Sequence, residues 1–281
     1  MLTVLEIIKR STEFLAGKGI ESARLNAELL VGHALGLKRM QLYLQFERPL
    51  AEADLEKIRP LVRRRSQHEP VQYILGETEF LNLKLKVDRR ALIPRPETEL
   101  LVEQTIAACA TPPATILDLG TGSGAIALAL AQAFPAAAVT AVDRSADALA
   151  LARENAAATV GAERIRLIAS DWFTALPAGE RFDLIVANPP YLSEKDTAET
   201  KLEVRGFEPM SALAAPDEGL ADLRTIITRA SAFLAPGGLV TLETGIAQHA
   251  ALTQIARAAG FTQIESRPDL TGRERFLFLR V

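Results

Sequence analysis

The chain has 281 residues, of which 48% are hydrophobic and 24% are charged, a balance typical of a globular protein with a substantial core. The net charge of −3 argues against a dedicated nucleic-acid-binding protein, and the single cysteine excludes an internal disulfide. The three histidines lie far apart in sequence, so we expect no metal site. Because there is neither a signal-peptide pattern nor an apolar run of about 18 residues, we expect a cytoplasmic protein without a membrane span.

Apolar residues recur at helical spacing over residues 1–70 and predict a small helical bundle. Thr3 and Glu6 have the spacing of a capping box at the start of the first helix, and Ser22 is expected to cap the second. We interpret the basic cluster Arg63–Arg65 as the solvated end of the fourth helix, where positive charge is favourable. Contact with an anionic partner is the alternative interpretation of this cluster.

Residues 71–95 are interpreted as a β-hairpin connector. Its predicted strands are Val71–Leu75 and Leu83–Val87, and the second alternates between apolar and basic residues. The connector runs into Ile93–Glu99, a segment of sequence IPRPETE. Proline is favoured in the first turn of a helix, so we expect a helix to begin at Pro96.

From Leu100 onward, strand-like and helical segments alternate, which predicts a parallel sheet covered by helices on both faces. The last two strand-like segments, Gln263–Ser266 and Arg275–Leu279, have no helix between them and predict an antiparallel edge. Residues 192–217 are predicted to form a long loop, and Leu220–Leu234 a helix. The predicted parallel strands are Thr115–Asp118, Ala138–Val142, Arg166–Ala169, Leu184–Ala187 and Leu239–Glu243.

A glycine-rich segment of sequence DLGTGSGA follows the first of these strands and begins a helix. Glycines at this place allow a tight turn and a close approach of a ligand to the backbone. The segment also fits the dinucleotide fingerprint, so the glycines alone do not identify the ligand. The candidate cofactor-binding residues in this segment are Asp118, Gly120, Thr121, Gly122, Ser123 and Gly124.

Acidic residues at three strand ends narrow the choice of cofactor. Asp118 lies two residues before the glycines, where it can hold a cationic group such as an amino-acid ammonium. Asp143 ends the second strand about 20 residues past the glycines, the usual place for a carboxylate that holds both ribose hydroxyls. Asp171 and Trp172 follow the third strand. At this place a carboxylate can accept a hydrogen bond from an exocyclic amine, and an indole can line an adenine pocket. Together these contacts describe S-adenosylmethionine.

The segment Asn188-Pro189-Pro190-Tyr191 follows the fourth strand and is typical of a site that holds a planar nitrogen. Asn188 Oδ1 and the carbonyl of Pro189 can accept both hydrogens of an –NH2 group, and Tyr191 adds a flat face. Pro189 also keeps Asn188 extended. Because the fourth strand should lie next to the first, the pattern predicts in-line methyl transfer to nitrogen without a general base, with orientation contributing about 7–11 kcal/mol.

These motifs together resemble the peptide chain release factor glutamine N5-methyltransferases (PrmC/HemK), and the resemblance covers nearly the whole chain. The departure from the family's pattern is at Ala214–Glu218, where the family tends to be glycine-rich. The matching motifs are Gly76-Glu77 with Phe80, Ile93–Glu99, Asp118–Ala125, Asp143, Asp171–Phe173, Asn188–Tyr191, Phe207–Pro209, and Leu242–Gly245 with Gln248.

The resemblance implies a class I (Rossmann-like) S-adenosylmethionine-dependent methyltransferase that releases S-adenosylhomocysteine. It also implies methylation of the glutamine in the Gly-Gly-Gln motif of class I release factors, in translation termination. Gly120–Gly124, Asp143, Trp172 and Asn188 would contact the cofactor, and Asn188–Tyr191 would hold the glutamine. We expect a monomer that binds no nucleic acid directly.

The predicted organisation is a partner-binding helical bundle over residues 1–70, the connector over 71–95, and a methyltransferase domain over 96–281. The alternatives are a DNA or RNA amino methyltransferase, which would normally carry a basic face, and a ribosomal-protein glutamine methyltransferase, for which a serine is expected where Pro96 stands. A nicotinamide-dependent oxidoreductase would leave Trp172 and Asn188–Tyr191 unexplained. A non-catalytic scaffold on the same fold is disfavoured because the carboxylates and Asn188 are all present.

Overall fold

The computed structural model describes residues 2–281, which form two compact units. One unit extends to Gly76 and includes Lys201–Phe207, and the other contains Glu77–Thr200 and Glu208–Val281. None of the helices described in this range is long and apolar enough to cross a membrane.

The helices lie in both units and are numbered in chain order. They are α1 (Val4–Ala16), α2 (Ala23–Leu35), α3 (Arg39–Tyr43), α4 (Glu52–Ser66), α5 (Val71–Leu75), α6 (Pro96–Ala108), α7 (Ala125–Ala133), α8 (Ala146–Ala158), α9 (Glu194–Glu199), α10 (Leu202–Phe207), α11 (Ala221–Ala230) and α12 (His249–Ala258). The strands are β1 (Glu77–Phe80), β2 (Leu83–Lys86), β3 (Thr115–Leu119), β4 (Ala138–Asp143), β5 (Ile165–Ala169), β6 (Phe182–Ala187), β7 (Leu234–Glu243), β8 (Gln263–Pro268) and β9 (Glu274–Arg280).

The start of the helical unit agrees with its sequence pattern in part. The capping box is confirmed, because the Thr3 N–H donates to Glu6 at 2.8 Å and the Glu6 N–H donates to Thr3 Oγ1 at 3.3 Å. The prediction that Ser22 caps α2 through its side chain is wrong. Ser22 has a left-handed φ of 49° and makes no capping bond, and Asn26 Nδ2 instead donates to the Ser22 carbonyl at 3.1 Å.

The basic cluster at the end of α4 is engaged within the helical unit. Arg64 pairs with Glu69 at 2.7 Å. The interpretation of a solvated helix end is wrong for Arg65, whose side chain is buried and donates to Asn26 Oδ1 at 2.7 Å and to Glu203 at 2.6 Å. A buried guanidinium needs such acceptors. Asn26 and Glu203 lie outside α4, so the residue pattern of α4 alone does not indicate them.

The predicted strand Val71–Leu75 is wrong, because these residues form the helix α5. Its β-branched residues favour a strand locally, but Ile74 is buried in the apolar core of the bundle, and this packing prevails over local propensity. Gly76, with a φ of 77°, ends the helix. The predicted hairpin does exist, but it pairs β1 with β2 in antiparallel register.

The second unit is built on a seven-stranded sheet of order β5-β4-β3-β6-β7-β9-β8. The strands β3 to β7 are parallel, whereas β9 is antiparallel to both β7 and β8, so the expected α/β fold with an antiparallel edge is confirmed. Apolar residues alternate along β3, where Ile116 faces one core and Leu117 the other. The chain reverses its order at β3, and such switch points are where ligands bind in open α/β sheets.

Two predicted boundaries in this half of the chain are corrected by the structure. Residues 192–217 are not a continuous loop, because they contain α9, α10 and a single 3-10 turn at Met210–Ala212. The predicted helix Leu220–Leu234 is too long, since α11 ends at Ala230. Leu234 already pairs with Phe182 of β6, so sheet pairing prevails over the helical pattern.

Candidate active site

An open cleft lies at the carboxyl edge of the parallel strands. It is lined by the ends of β3 to β6 together with the segments before α6 and after Glu208. The predicted site residues that line it are Gly120, Thr121, Gly122, Ser123, Asp143, Asp171, Trp172, Asn188 and Pro190, whereas Asp118, Gly124, Pro189 and Tyr191 are not among its lining residues.

The glycine-rich loop between β3 and α7 has the conformation that its glycines allow. Gly120, Gly122 and Gly124 have φ values of 72°, 55° and 86°, which L side chains rarely adopt. A Cβ atom at Gly120 would also lie 3.2 Å from Cζ3 of Trp172. The backbone of this loop can therefore approach a ligand closely, and a side chain at Gly120 would meet the indole.

Asp143 ends β4 and fixes the glycine loop through hydrogen bonds. Its Oδ2 accepts the Gly122 N–H at 2.9 Å, and its Oδ1 accepts the Ser145 N–H at 2.9 Å. Each carboxylate oxygen keeps acceptor capacity beyond these bonds. Because Asp143 also lines the cleft, it is able to accept a pair of vicinal hydroxyls from a ligand.

Asp118 lies beneath the glycine loop and is fully buried. Its Oδ2 accepts the Thr121 hydroxyl at 2.6 Å and the Ala127 N–H at 3.2 Å, but its Oδ1 has no hydrogen-bond partner among residues 2–281. Burial raises the pKa of this carboxyl to about 7, and the nearby charge of Asp143 adds to the increase. Asp118 does not itself line the cleft, but a positive charge on a ligand beside the glycine loop would relieve this cost, so the orphaned oxygen fits a nearby amino-acid ammonium.

Trp172 lies against Gly120 of the glycine loop and is held by Asp222, a residue that no sequence motif indicated. Its backbone has a φ of 51°, and its Nε1 donates to Asp222 Oδ1 of α11 at 3.1 Å. Partial burial raises the pKa of the Asp222 carboxyl. Because Asp222 is 50 residues away in sequence, no motif spacing around Trp172 points to it.

Asn188 belongs to a chain of hydrogen bonds that leads away from the cleft. Its Nδ2 donates to Thr98 Oγ1 at 2.9 Å, and the Thr98 hydroxyl donates to Glu243 Oε2 at 2.7 Å. The Tyr191 hydroxyl donates to Glu243 Oε1 at 3.0 Å, and burial raises the pKa of this phenol. Tyr191 therefore has its hydroxyl directed at a buried carboxylate. Thr98 and Glu243 lie in the sequence motifs Ile93–Glu99 and Leu242–Gly245, but neither motif indicates their roles.

The wall of the cleft before α6 is held by Glu208, which belongs to the motif Phe207–Pro209 but had no role assigned from the sequence. Its Oε2 accepts the Ile93 N–H at 3.0 Å, and its Oε1 accepts a guanidinium N–H of Arg95 at 2.5 Å. The Glu208 side chain is 1% exposed. Since Pro94 and Arg95 line the cleft, this buried carboxylate fixes the position of one of its rims.

Gln248 holds the chain immediately after the Asn188–Tyr191 turn. Its Nε2 donates to the Tyr191 carbonyl at 3.0 Å, and its Oε1 accepts the Gly245 N–H at 2.9 Å. A Cβ atom at Gly219 would lie 2.1 Å from the Tyr191 carbonyl oxygen, so this position requires glycine. The turn is thus supported from both sides by distant parts of the sequence.

Two family profiles match separate parts of the chain. The profile described as PrmC N-terminal domain matches residues 6–76, and the Methyltransferase small domain matches residues 96–205. Among solved structures, a methyltransferase from Pyrococcus furiosus has a TM-score of 0.52 at 18% identity and covers 71% of this chain and 89% of that chain. A 16S rRNA methyltransferase from T. thermophilus, solved with AdoMet and guanosine, has a TM-score of 0.52 at 20% identity and covers 73% and 49%. At these identities the two structures show the fold alone.

Curated relatives match almost the whole chain. The release factor glutamine methyltransferase of Chlorobaculum tepidum is 44% identical over 284 residues, which cover 98% of this chain and 96% of that protein. The proteins of the same name from Salmonella typhimurium and Escherichia coli are 44% and 42% identical, and each match covers 91% of both chains. With this identity along nearly its full length, the chain belongs to the release factor glutamine methyltransferase family.

Proposed function

We propose that this protein transfers a methyl group from S-adenosylmethionine to the side-chain amide nitrogen of the glutamine in the Gly-Gly-Gln motif of class I release factors. The observation that carries the proposal is the hydrogen bonding of Asn188. Its Nδ2 is occupied by Thr98, so its Oδ1 is the atom left to accept a hydrogen in the cleft. An acceptor in this position suits an –NH2 group as the methyl acceptor.

The residues at the cleft fit S-adenosylmethionine as the cofactor, which would supply an electrophilic methyl group. Asp143 would hold the ribose hydroxyls, and Asp171 and Trp172 would contact the adenine. Asp118, with its unpartnered buried oxygen, would stabilise the ammonium of the methionine part. The glycine loop would accommodate the cofactor against the backbone, as the φ values of its glycines allow.

The glutamine side chain is a poor nucleophile because its nitrogen lone pair is delocalised into the carbonyl. Asn188 Oδ1 and the carbonyl of Pro189 would accept the two amide hydrogens, which raises the electron density on nitrogen and directs its lone pair. Orientation of this kind contributes about 7–11 kcal/mol for well-aligned reactants. The methylated nitrogen would release one of its two protons to solvent, so we assign no general base to the reaction. We place the catalytic role in the Asn188–Tyr191 turn, of which Asn188 and Pro190 line the cleft.

The helical unit is proposed to bind the release factor. The match of this unit to the PrmC N-terminal domain profile, separate from the methyltransferase profile, supports assigning it a task of its own. We propose that the enzyme works as a monomer in the cytoplasm.

The test of this function is a transfer assay with the purified protein, S-adenosylmethionine labelled in its methyl group, and a bacterial class I release factor. Label should enter the release factor and be lost when the glutamine of its Gly-Gly-Gln motif is replaced. Labelling of tRNA, DNA or a ribosomal protein in place of the release factor would overturn the proposed substrate.

A further inference from the structure

A buried set of four polar side chains connects the cleft to the interior of the sheet unit. Asn188 donates to Thr98 at 2.9 Å, Thr98 donates to Glu243 at 2.7 Å, and Tyr191 donates to Glu243 at 3.0 Å. Thr98 is 4% exposed and Glu243 is 1% exposed, so water does not substitute for these partners. Of the four, Asn188 lines the cleft together with Thr98, whereas Glu243 lies behind them.

The hydrogen bonds in this set have one direction, and the carboxylate decides it. Burial raises the pKa of the Glu243 carboxyl, whereas the hydroxyls of Thr98 and Tyr191 and the nearby charge of Arg275 favour its ionised form. In that form the carboxylate can only accept, so Thr98 and Tyr191 both direct their hydroxyl protons toward it. Thr98 has a single proton, and once this is given to Glu243 its oxygen can only accept from Asn188. The group of Asn188 that faces Thr98 must therefore be the –NH2, which turns Oδ1 the other way.

We propose that Thr98 and Glu243 are positioning residues that fix the side-chain amide of Asn188 with its carbonyl oxygen toward the methyl acceptor. This inference rests on the proposed function, since it explains why the Asn188 oxygen faces the –NH2 group that is to be methylated. The alternative rotamer of Asn188, turned by 180°, would present a donor to the substrate –NH2 and would leave its own oxygen against Thr98. Such a rotamer is excluded only as long as Thr98 has no proton to offer.

Three substitutions separate this role from simple packing. Thr98→Val keeps the shape of the side chain but removes the acceptor for Asn188, and Thr98→Ser keeps the hydroxyl. Glu243→Gln replaces an acceptor-only group with one that can also donate, which frees the Thr98 proton to turn toward Asn188. We expect kcat for release factor methylation to fall about tenfold in Thr98→Val and Glu243→Gln, the effect of losing one hydrogen bond of ordinary strength, and to recover in Thr98→Ser.

The chain offers a matched control on the same helix and strand. Thr105 lies two turns after Thr98 on α6, is fully buried, and donates its hydroxyl to Thr241 of β7 at 3.0 Å. Thr105→Val breaks a buried hydrogen bond between the same helix and strand, and Thr105 makes no hydrogen bond with Asn188. Its thermal stability should change about as much as that of Thr98→Val, while its kcat should equal that of the unmodified protein.

The closing experiment is a double-mutant cycle with Asn188→Ala, measured as kcat for methylation of a bacterial class I release factor and as the affinity for S-adenosylmethionine. If Thr98 acts through Asn188, adding Thr98→Val to Asn188→Ala should cause no further loss of kcat. Additive losses, or a kcat for Thr98→Val equal to that for Thr105→Val, would overturn the inference. A wild-type protein that binds the cofactor but does not methylate the release factor would instead overturn the proposed function.

Discussion

The indole of Trp172 is tied to Asp222 by a hydrogen bond of 3.1 Å between Nε1 and Oδ1. Trp172 also lies against Gly120, where an added Cβ atom would be 3.2 Å from its ring. The orientation of one wall of the cleft therefore depends on a carboxylate of α11, which lies outside the predicted cofactor motifs. Asp222 holds the plane on which the adenine of the cofactor is proposed to rest.

The first prediction concerns this contact. Asp222→Ala should weaken the binding of S-adenosylmethionine about tenfold, because a hydrogen bond to a charged group is worth about 1.5–3 kcal/mol and part of the loss is recovered by water. Trp172 is the only tryptophan in the sequence, so its intrinsic fluorescence reports the titration directly. Arg224→Ala is the control, since Arg224 lies on the same helix and pairs with the exposed Asp217. Equal affinities for the two variants would contradict the assigned role of Asp222.

The second prediction concerns the dependence of stability on pH without cofactor. Asp118 has a pKa of about 7 in the folded protein, against 3.8 for an ordinary aspartate, so the folded state holds its proton more tightly than the unfolded state. The unfolding free energy should therefore fall as the pH rises from about 4 to about 7, by up to about 4 kcal/mol, and should not fall further on this account above that range.

Asp118→Asn isolates this contribution, because asparagine is neutral and its oxygen can still accept from Thr121 and Ala127. The variant should lose the decline between about pH 4 and about pH 7 in chemical denaturation, and it should be more stable than the unmodified protein above about pH 7. It should also bind S-adenosylmethionine more weakly, since the charge opposite the ammonium is gone. An unchanged stability profile would show that Asp118 is not the group that titrates.

The third prediction concerns Asn188. Asn188→Ala should lower kcat for release factor methylation by about 10²- to 10³-fold, the loss that is typical when one positioned hydrogen-bonding group of an active site is removed. Cofactor affinity, followed by the fluorescence of Trp172, should fall by much less. Single-turnover kinetics distinguish the two effects, and a methylation rate equal to that of the unmodified protein would refute the role of Asn188.

The fourth prediction concerns the rim of the cleft. Glu208→Ala leaves the buried Ile93 N–H and the Arg95 guanidinium without their acceptor and should cost about 1–3 kcal/mol of folding free energy. Because Pro94 and Arg95 line the cleft, we also expect KM for the release factor to rise. Glu208→Gln keeps one acceptor oxygen for the Ile93 N–H and should have an intermediate effect. A KM that is the same for all three proteins would show that this rim does not contact the substrate.

The sheet and the position of the cleft could be predicted because they follow from local pattern and general rules. Alternating strands and helices predict a parallel sheet, and its switch point brings the ends of β3, β4 and β6 together. Asp143 and Asn188 could be placed at one edge in this way. The helix α5 could not be predicted, because Val71–Leu75 has the composition of a strand and only its burial in the bundle makes it helical.

The supporting residues of the site were missed for a different reason. Thr98 and Glu243 are separated by 145 residues, and Glu208 is separated from Ile93 by 115. Contacts over such distances follow from tertiary packing, which no spacing within one motif encodes. The motifs thus contained these residues, but their roles appear only from the hydrogen bonds that they make.

The short segment Lys201–Phe207 belongs to the helical unit although the methyltransferase unit surrounds it in sequence. Its Glu203 is the acceptor for the buried Arg65, and its Lys201 pairs with Glu21 at 2.6 Å. If the chain were divided after Gly76, the N-terminal fragment would contain Arg65 without the carboxylate of Glu203. Lys201–Phe207 would remain in the C-terminal fragment without the unit it packs in. The helical unit therefore cannot be separated by one division of the chain, and exchanging it between homologues would require exchanging Lys201–Phe207 as well.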